Sequence, residues 1–131
     1  MSTWAEAVTL CELEYSELPL PQNAKEDTDL YNYLNSKGYL SSWLDGTDEA
    51  EEGVWVDSNG DDITFFNWRA DQPDNNNGNE HYLHYRPGWG GVWNDHLATH
   101  NDHVVCQKPS FGKDCYLNYF SSQGSTFLSN H

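Results

Sequence analysis

The apolar positions of the chain change their period part-way along. Near the start, Trp4, Ala7, Val8 and Cys11 recur at three- and four-residue steps, one face of a helix. Thr3-Trp4-Ala5-Glu6 has the form of a capping box, so the helix is predicted to begin there and to run to about Tyr15, with Pro19 and Pro21 beyond its end. A second helix is predicted over 26–37, with Leu30, Tyr33 and Leu34 inward and Gly38 as its stop. After Gly38 the texture becomes short apolar runs broken by turn residues. The runs 39–44, 54–56, 63–66, 80–85, 92–93 and 103–107 read as strands, with Asn59-Gly60 as a hairpin turn. Between the third and fourth lies 67–79, rich in Asn, Asp, Pro and Gly, which suits neither strand nor helix. A loop this long in a compact domain is usually functional. Helices first, then strands and one long loop, predict a single α+β domain spanning 1–131.

Composition narrows the function. A chain of 131 residues supports one core, and six Trp, eight Tyr and five Phe let a loop-rich fold bury area with few residues. No apolar stretch approaches the roughly 20 residues of a membrane span, so no membrane insertion is expected. A basic start followed by an apolar run is also missing, so a secretion signal is expected to have been removed or never to have been present. Six Lys plus Arg against 21 Asp plus Glu, a formal charge of −15, opposes binding to nucleic acid. The excess acid has two readings, a solvated surface or carboxylates gathered around hard cations. Cys11, Cys106 and Cys115 show no zinc-type spacing. Two of them in a disulfide would suit an oxidising compartment, leaving the third free or bonded to another chain.

The oxygen donors in and after the long loop favour the second reading of the charge. Gln72-Pro73-Asp74 holds two side-chain oxygens two residues apart, Glu80 follows, and Asn94-Asp95 comes after the 92–93 run. Two amides and three carboxylates, with a backbone carbonyl, approach the six to eight hard oxygen ligands that Ca2+ prefers. No thiolate is present to favour a softer metal. The bland alternative is that these residues supply turn chemistry only.

These same residues carry a family resemblance. Glu52-Gly53-Val54-Trp55-Val56 through Phe66-Asn67-Trp68, then Gln72-Pro73-Asp74, Glu80, Trp93-Asn94-Asp95 and Val105-Cys106, together with Trp4-Ala5-Glu6-Ala7 and Cys11, closely resemble the C-type lectin domain over about residues 3–108. The resemblance implies two helices packed on short antiparallel sheets, a Cys11–Cys106 disulfide, and a cis Pro73. It further implies that Gln72, Asp74, Glu80, Asn94 and Asp95 hold both calcium and sugar. In this family Gln-Pro-Asp goes with galactose-type sugars and Glu-Pro-Asn with mannose-type, so galactose or N-acetylgalactosamine termini are the expected ligands. Trp89, in its glycine-flanked loop, is the candidate for stacking on the apolar face of the sugar, against the alternative that it packs the loop; Tyr85 and His84 are further candidates. The implied function is a non-enzymatic, secreted, calcium-dependent lectin. The alternative is a lectin-like module that binds a protein or an ice surface.

The chain also departs from the pattern. Tyr82 and Ala98 stand where the family has a second disulfide, and His81 stands where its auxiliary calcium site, here Asp48, Glu52 and Glu80 with Asn75, usually has an acid, so weak occupancy is expected there. The chain opens almost at the first helix. The segment 111–122 resembles the family's missing first strand, which predicts a circular permutation or a strand exchanged between subunits, against a disordered tail. Cys115 is a candidate for a disulfide across a homodimer, which would also raise avidity.

Three rival readings are disfavoured. Six histidines invite a zinc hydrolase, yet His81 and His84 point to opposite faces of a strand and no H-E-x-x-H is present. Glycoside cleavage needs one acid in an apolar pocket, not a polar loop. Asp57-Ser58-Asn59-Gly60-Asp61-Asp62 lacks the sixth-position glycine of a calcium-binding helix-loop-helix.

Overall fold

A computed structural model describes residues 1–108 and the main chain of 127–129. Helix α1 spans Trp4–Leu13, and Thr3 and Glu6 form the predicted capping box. Helix α2 spans Ala24–Lys37, capped by the Asn23 side chain, which accepts from the Glu26 amide, and ended by Gly38 in the left-handed conformation. Strands β1 (Ser42–Thr47), β2 (Glu80–Arg86) and β3 (Val92–Leu97) form one antiparallel sheet in the order β1-β2-β3. Strand β4 (Val105–Gln107) pairs antiparallel with β5 (Phe127–Ser129), and its Gln107 also exchanges backbone hydrogen bonds with Glu17. The fold is α+β.

Two apolar clusters hold these elements. The larger packs Leu30 and Leu34 of α2 against Leu44, Trp55, Leu83, Tyr85, Trp93 and Val105. The smaller packs Ala7 and Cys11 of α1 against Leu18, Trp43, Val104 and Cys106. Through it runs the Cys11–Cys106 disulfide, joining residues 95 apart in sequence. The runs 54–56 and 63–66 are not strands. The first makes isolated bridges only, Val56 with Thr47 and, across the Asn59-Gly60 turn, with Asp62. Ile63, Phe65 and Phe66 instead pack side-on against the larger cluster, so burial of the aromatic rings, not a hydrogen-bonded ladder, accounts for their apolarity.

Tyr82 turns towards Trp4, with ring centroids 5.1 Å apart, and donates to Glu49 at 2.7 Å, while Ala98 is exposed. The segment 111–122 and Cys115 lie outside the described residues; the strand seen beside β4 is β5.

Helix α2 is tied to the sheet by a buried acid that sequence patterning does not reveal. Asp27 accepts from Trp93 Nε1 at 2.9 Å and from Asn67 Nδ2 at 2.8 Å, and Tyr85 Oη donates to its backbone carbonyl. Burial, offset by these donors, raises its carboxyl above the ordinary range. Asp27→Ala would leave two donors without their acceptor, so a loss of about 3 kcal/mol is expected. Urea denaturation of the variant checks it.

Candidate functional site

The long loop leaves the larger cluster at Trp68 and returns as β2 at Glu80. Its first turn is closed by the Gln72 amide donating to the Arg69 carbonyl at 2.8 Å, and the Gln72–Pro73 peptide is cis. Asn75 and Asn77 adopt left-handed backbone, which asparagine tolerates better than most residues. On the facing strand, Arg69 N donates to the Trp93 carbonyl at 3.0 Å, which sets the loop directly beside Asn94 and Asp95.

Asp95 is fully buried and organises the loop from below. Its two carboxylate oxygens accept from the amides of Asp74, at 3.2 Å, and Asn75, at 2.7 Å. Glu80 accepts from the Asn76 amide at 3.2 Å, while Asn75 Oδ1 accepts from Glu80 N at 3.0 Å. Carboxylate oxygens of Asp74, Glu80 and Asp95 thereby lie within 4.8 Å of one another. Three carboxyls this close repel. Burial and the hydrogen bond with Asp74 push the Glu80 carboxyl up to about 7, and the same contact with Glu80 holds Asp74 below its usual range. Asp95 is raised by burial, opposed by its two loop amides.

Of the two amides of the predicted set, Gln72 donates from Nε2 to Asp74 Oδ2 at 3.2 Å, and Asn94 precedes Asp95 in β3. Among the described residues, three buried side-chain polar atoms lack a hydrogen-bond partner: Gln72 Oε1, Asn94 Oδ1 and Arg86 Nε. Two of the three are thus the amide oxygens expected to face a cation. Hard acceptors left unpaired beside crowded carboxylates fit a divalent ion such as calcium. Behind Asn94, its Nδ2 lies 2.9 Å from His84 Nε2, and His84 Nδ1 lies 3.1 Å from Asp102 Oδ2.

A second acidic group, Asp48 and Glu52 with His81, lies nearby. His81 Nδ1 is 3.0 Å from Asp48 and 3.3 Å from Glu52. Burial opposes its charge, but the two acids outweigh this and raise its pKa. A protonated His81 would offset one of the two negative charges of this pair.

Trp89 is partly exposed, with the guanidinium carbons of Arg69 and Arg86 4.3 and 4.1 Å from its ring centroid. Tyr85 and His84, the other aromatic candidates for a sugar platform, are fully buried. The histidines gather differently from their order in the chain. His84, His96 and His100 contact one another beside Asp102, whereas His103 stacks on Tyr39 at 4.0 Å.

The sequence profile of the Lectin C-type domain matches residues 1–108. The chain belongs to the C-type lectin domain family. Members of this family are typically calcium-dependent, and the described residues of this lectin domain include acidic groups able to hold a metal ion. It is 29% identical to Salivary C-type lectin 2 of Aedes albopictus, over 82% of this chain and 78% of that protein. It is 32% identical to Hepatic lectin of Gallus gallus over 82% of this chain, and 31% identical to Asialoglycoprotein receptor 1 of Mus musculus over 79%. The alignments span 50% and 37% of those two proteins. Among solved structures, C-type lectin CEL-I from Cucumaria echinata superposes with a TM-score of 0.67 at 29% identity, covering 74% of this chain and 76% of that one. The carbohydrate-recognition domain of the mouse scavenger receptor C-type lectin superposes with a TM-score of 0.72 at 26% identity, covering 80% and 81%.

Proposed function

We propose that this lectin domain binds galactose-type sugars through one calcium ion held by Gln72, Asp74, Glu80, Asn94 and Asp95, without chemical turnover. The observation that carries the reading is the crowding of the Asp74, Glu80 and Asp95 carboxylates, supported by the two buried amide oxygens, Gln72 Oε1 and Asn94 Oδ1, that lack a partner. The ion, when bound, would supply a Lewis-acidic centre that takes two vicinal sugar hydroxyls into its shell. The protein's part is orientation. Asp95 fixes the Gln-Pro-Asp turn from beneath, and the remaining lone pairs and N–H groups of the ligand set accept from and donate to the same hydroxyls. Gln72 Nε2 donates to Asp74 at 3.2 Å, so the two ends of the tripeptide hold each other in place. The order amide-then-acid in this tripeptide supports a galactose-type ligand, and relatives named hepatic lectin and asialoglycoprotein receptor support glycan binding. The stacked guanidiniums favour a packing role for Trp89 over a sugar platform.

The test is retention on immobilised galactose in calcium, with release by a chelator and mannose as the control. Retention that survives the chelator, or equal release by mannose, would overturn the reading. The rival module, which docks a protein or ice surface, predicts no retention at all. A disulfide-linked, extracellular domain suits such a role, as does a dimer through Cys115, which non-reducing electrophoresis would reveal. A permuted first strand, supplied from 111–122, predicts that deleting residues 111–131 lowers the melting temperature.

Acid should weaken the site in a defined window. The Glu80 carboxyl has its pKa raised from 4.5 to about 7, so between those values the ion-free folded chain holds a proton that the unfolded chain has released. From this group, stability of the ion-free protein falls as pH rises through that window. Calcium must displace that proton, so its apparent affinity rises towards pH 7 and levels off above it. Calorimetric titration in buffers of different ionisation heat should show proton release at pH 5.5 and little at pH 8.

A further inference from the structure

We infer that His84 and Asp102 form a polarity relay that fixes which end of the Asn94 amide faces the calcium site. The inference rests on the calcium reading above, and neither residue is itself placed in the ligand set. An asparagine side chain offers an oxygen and an NH2 of nearly the same shape, so packing alone does not select between them. Only the oxygen binds a cation.

The selection runs backwards from the fold. Asp102 is buried, and its Oδ1 accepts from Ser41 Oγ at 2.6 Å and from its neighbour's amide, His103 N, at 2.8 Å. Its Oδ2 faces His84 Nδ1 at 3.1 Å, with His100 Nε2 further off at 3.7 Å. A carboxylate only accepts, so His84 Nδ1 carries the hydrogen. On the other side of the ring, Nε2 stands 2.9 Å from Asn94 Nδ2, and an NH2 only donates, so Nε2 accepts and the ring carries a single hydrogen. In a neutral ring with hydrogen on Nδ1, Nε2 is an acceptor and needs a donor. The Asn94 NH2 meets that need, which leaves Oδ1 turned away from the histidine. That oxygen is one of the buried acceptors without a partner. His84 has no exposed surface, and Trp43, His96 and His100 pack around its ring at 5.9, 4.9 and 5.9 Å, so it has no freedom to turn over. Histidines bonded to metals are oriented by second groups of this kind; here the device is one step further out, with the histidine orienting an amide.

The relay makes a specific prediction about a nearly isosteric change. In Asp102→Asn, the His103 amide can only donate, so the new side chain keeps its oxygen there and turns its NH2 towards His84. Nδ1 then becomes the acceptor, Nε2 the donor, and Asn94 rotates its oxygen to meet Nε2, pointing NH2 at the cation site. Calcium affinity is expected to fall about 10- to 100-fold, the usual range for an outer-shell change. Ser41→Ala removes one hydrogen bond from Asp102 without changing the polarity, so its affinity should stay near that of the unsubstituted protein. Isothermal calorimetry with calcium alone, below the melting temperature of each variant in chelator, reads both. Nitrogen-15 spectra of the His84 ring provide a readout that lost stability would not mimic: hydrogen on Nδ1 in the unsubstituted protein, on Nε2 in Asp102→Asn. Unchanged affinity in folded Asp102→Asn, or hydrogen on Nε2 in the unsubstituted protein, overturns the relay. Should Asp102→Asn fail to fold, the spectrum of the unsubstituted protein decides alone. If the unsubstituted protein takes up no calcium, the calcium reading fails, and the same ring spectrum still separates that failure from the failure of the relay.

Discussion

Replacing Asp95 with asparagine is expected to abolish the calcium response of the domain, lowering ion affinity by about 100-fold or more, at or beyond the top of the range seen for outer-shell partners. The effect is large because Asp95 has two jobs. Both of its oxygens already accept loop amides, from Asp74 and Asn75, and the same carboxylate contributes negative charge to the cluster. Asparagine supplies one acceptor and turns an NH2 either at the Asp74 or Asn75 N–H or at the cation. Each choice costs loop order or charge. A protein bathed in calcium at 100 times its dissociation constant gains about 2.7 kcal/mol, on the order of 10 °C for a domain of this size. Differential scanning calorimetry with and without calcium should show that shift in the unsubstituted protein and none in Asp95→Asn. Asp71→Asn, an exposed acid 3.6 Å from Arg69, removes the same charge outside the cluster and should keep the shift.

Removing the disulfide, as Cys11→Ser with Cys106→Ser, is expected to cost about 4 kcal/mol, in line with chain-entropy arguments for a closed loop of this length. The bond spans 95 positions and ties α1 to β4 through the smaller cluster. With total stabilities of about 5–15 kcal/mol for ordinary domains, this is a large share. A urea midpoint lower by about 2 M is the corresponding reading. Both sulfurs lie in the smaller cluster, whereas the ligands are carried by the long loop, β2 and β3, which pack on the larger one. Calcium affinity measured in the cold should therefore be little changed, which separates scaffold from site.

How much of this was legible from residues alone varies with the physics involved. Helix α1 and its capping box were readable because their signals are local, three residues apart. The five oxygen donors stand out in the sequence as hard ligands in and after one long loop, and the family resemblance adds their assignment to a single ion, since Gln72 and Asp95 are far apart in the chain. The strands predicted at 54–56 and 63–66 failed because apolar runs report burial, and aromatic rings there reach the core without pairing their backbones. Asp27 was hidden for the opposite reason. It sits where a helix start normally favours an acid facing water, yet its carboxylate binds the Trp93 indole. His84 and Asp102 were invisible as partners, because only the pairing of β2 with β3 and the fold-back to β4 brings them into line.

The packed indoles have a practical consequence. Trp55 lies 5.2 Å from Trp68, and Trp68 lies 6.4 Å from Trp93, whose neighbour in sequence is Asn94. Rings this close and rigidly inclined couple their electronic transitions. The domain thus carries an intrinsic chromophore array, and its near-ultraviolet circular dichroism should report on events around Asn94 and the long loop without any attached dye.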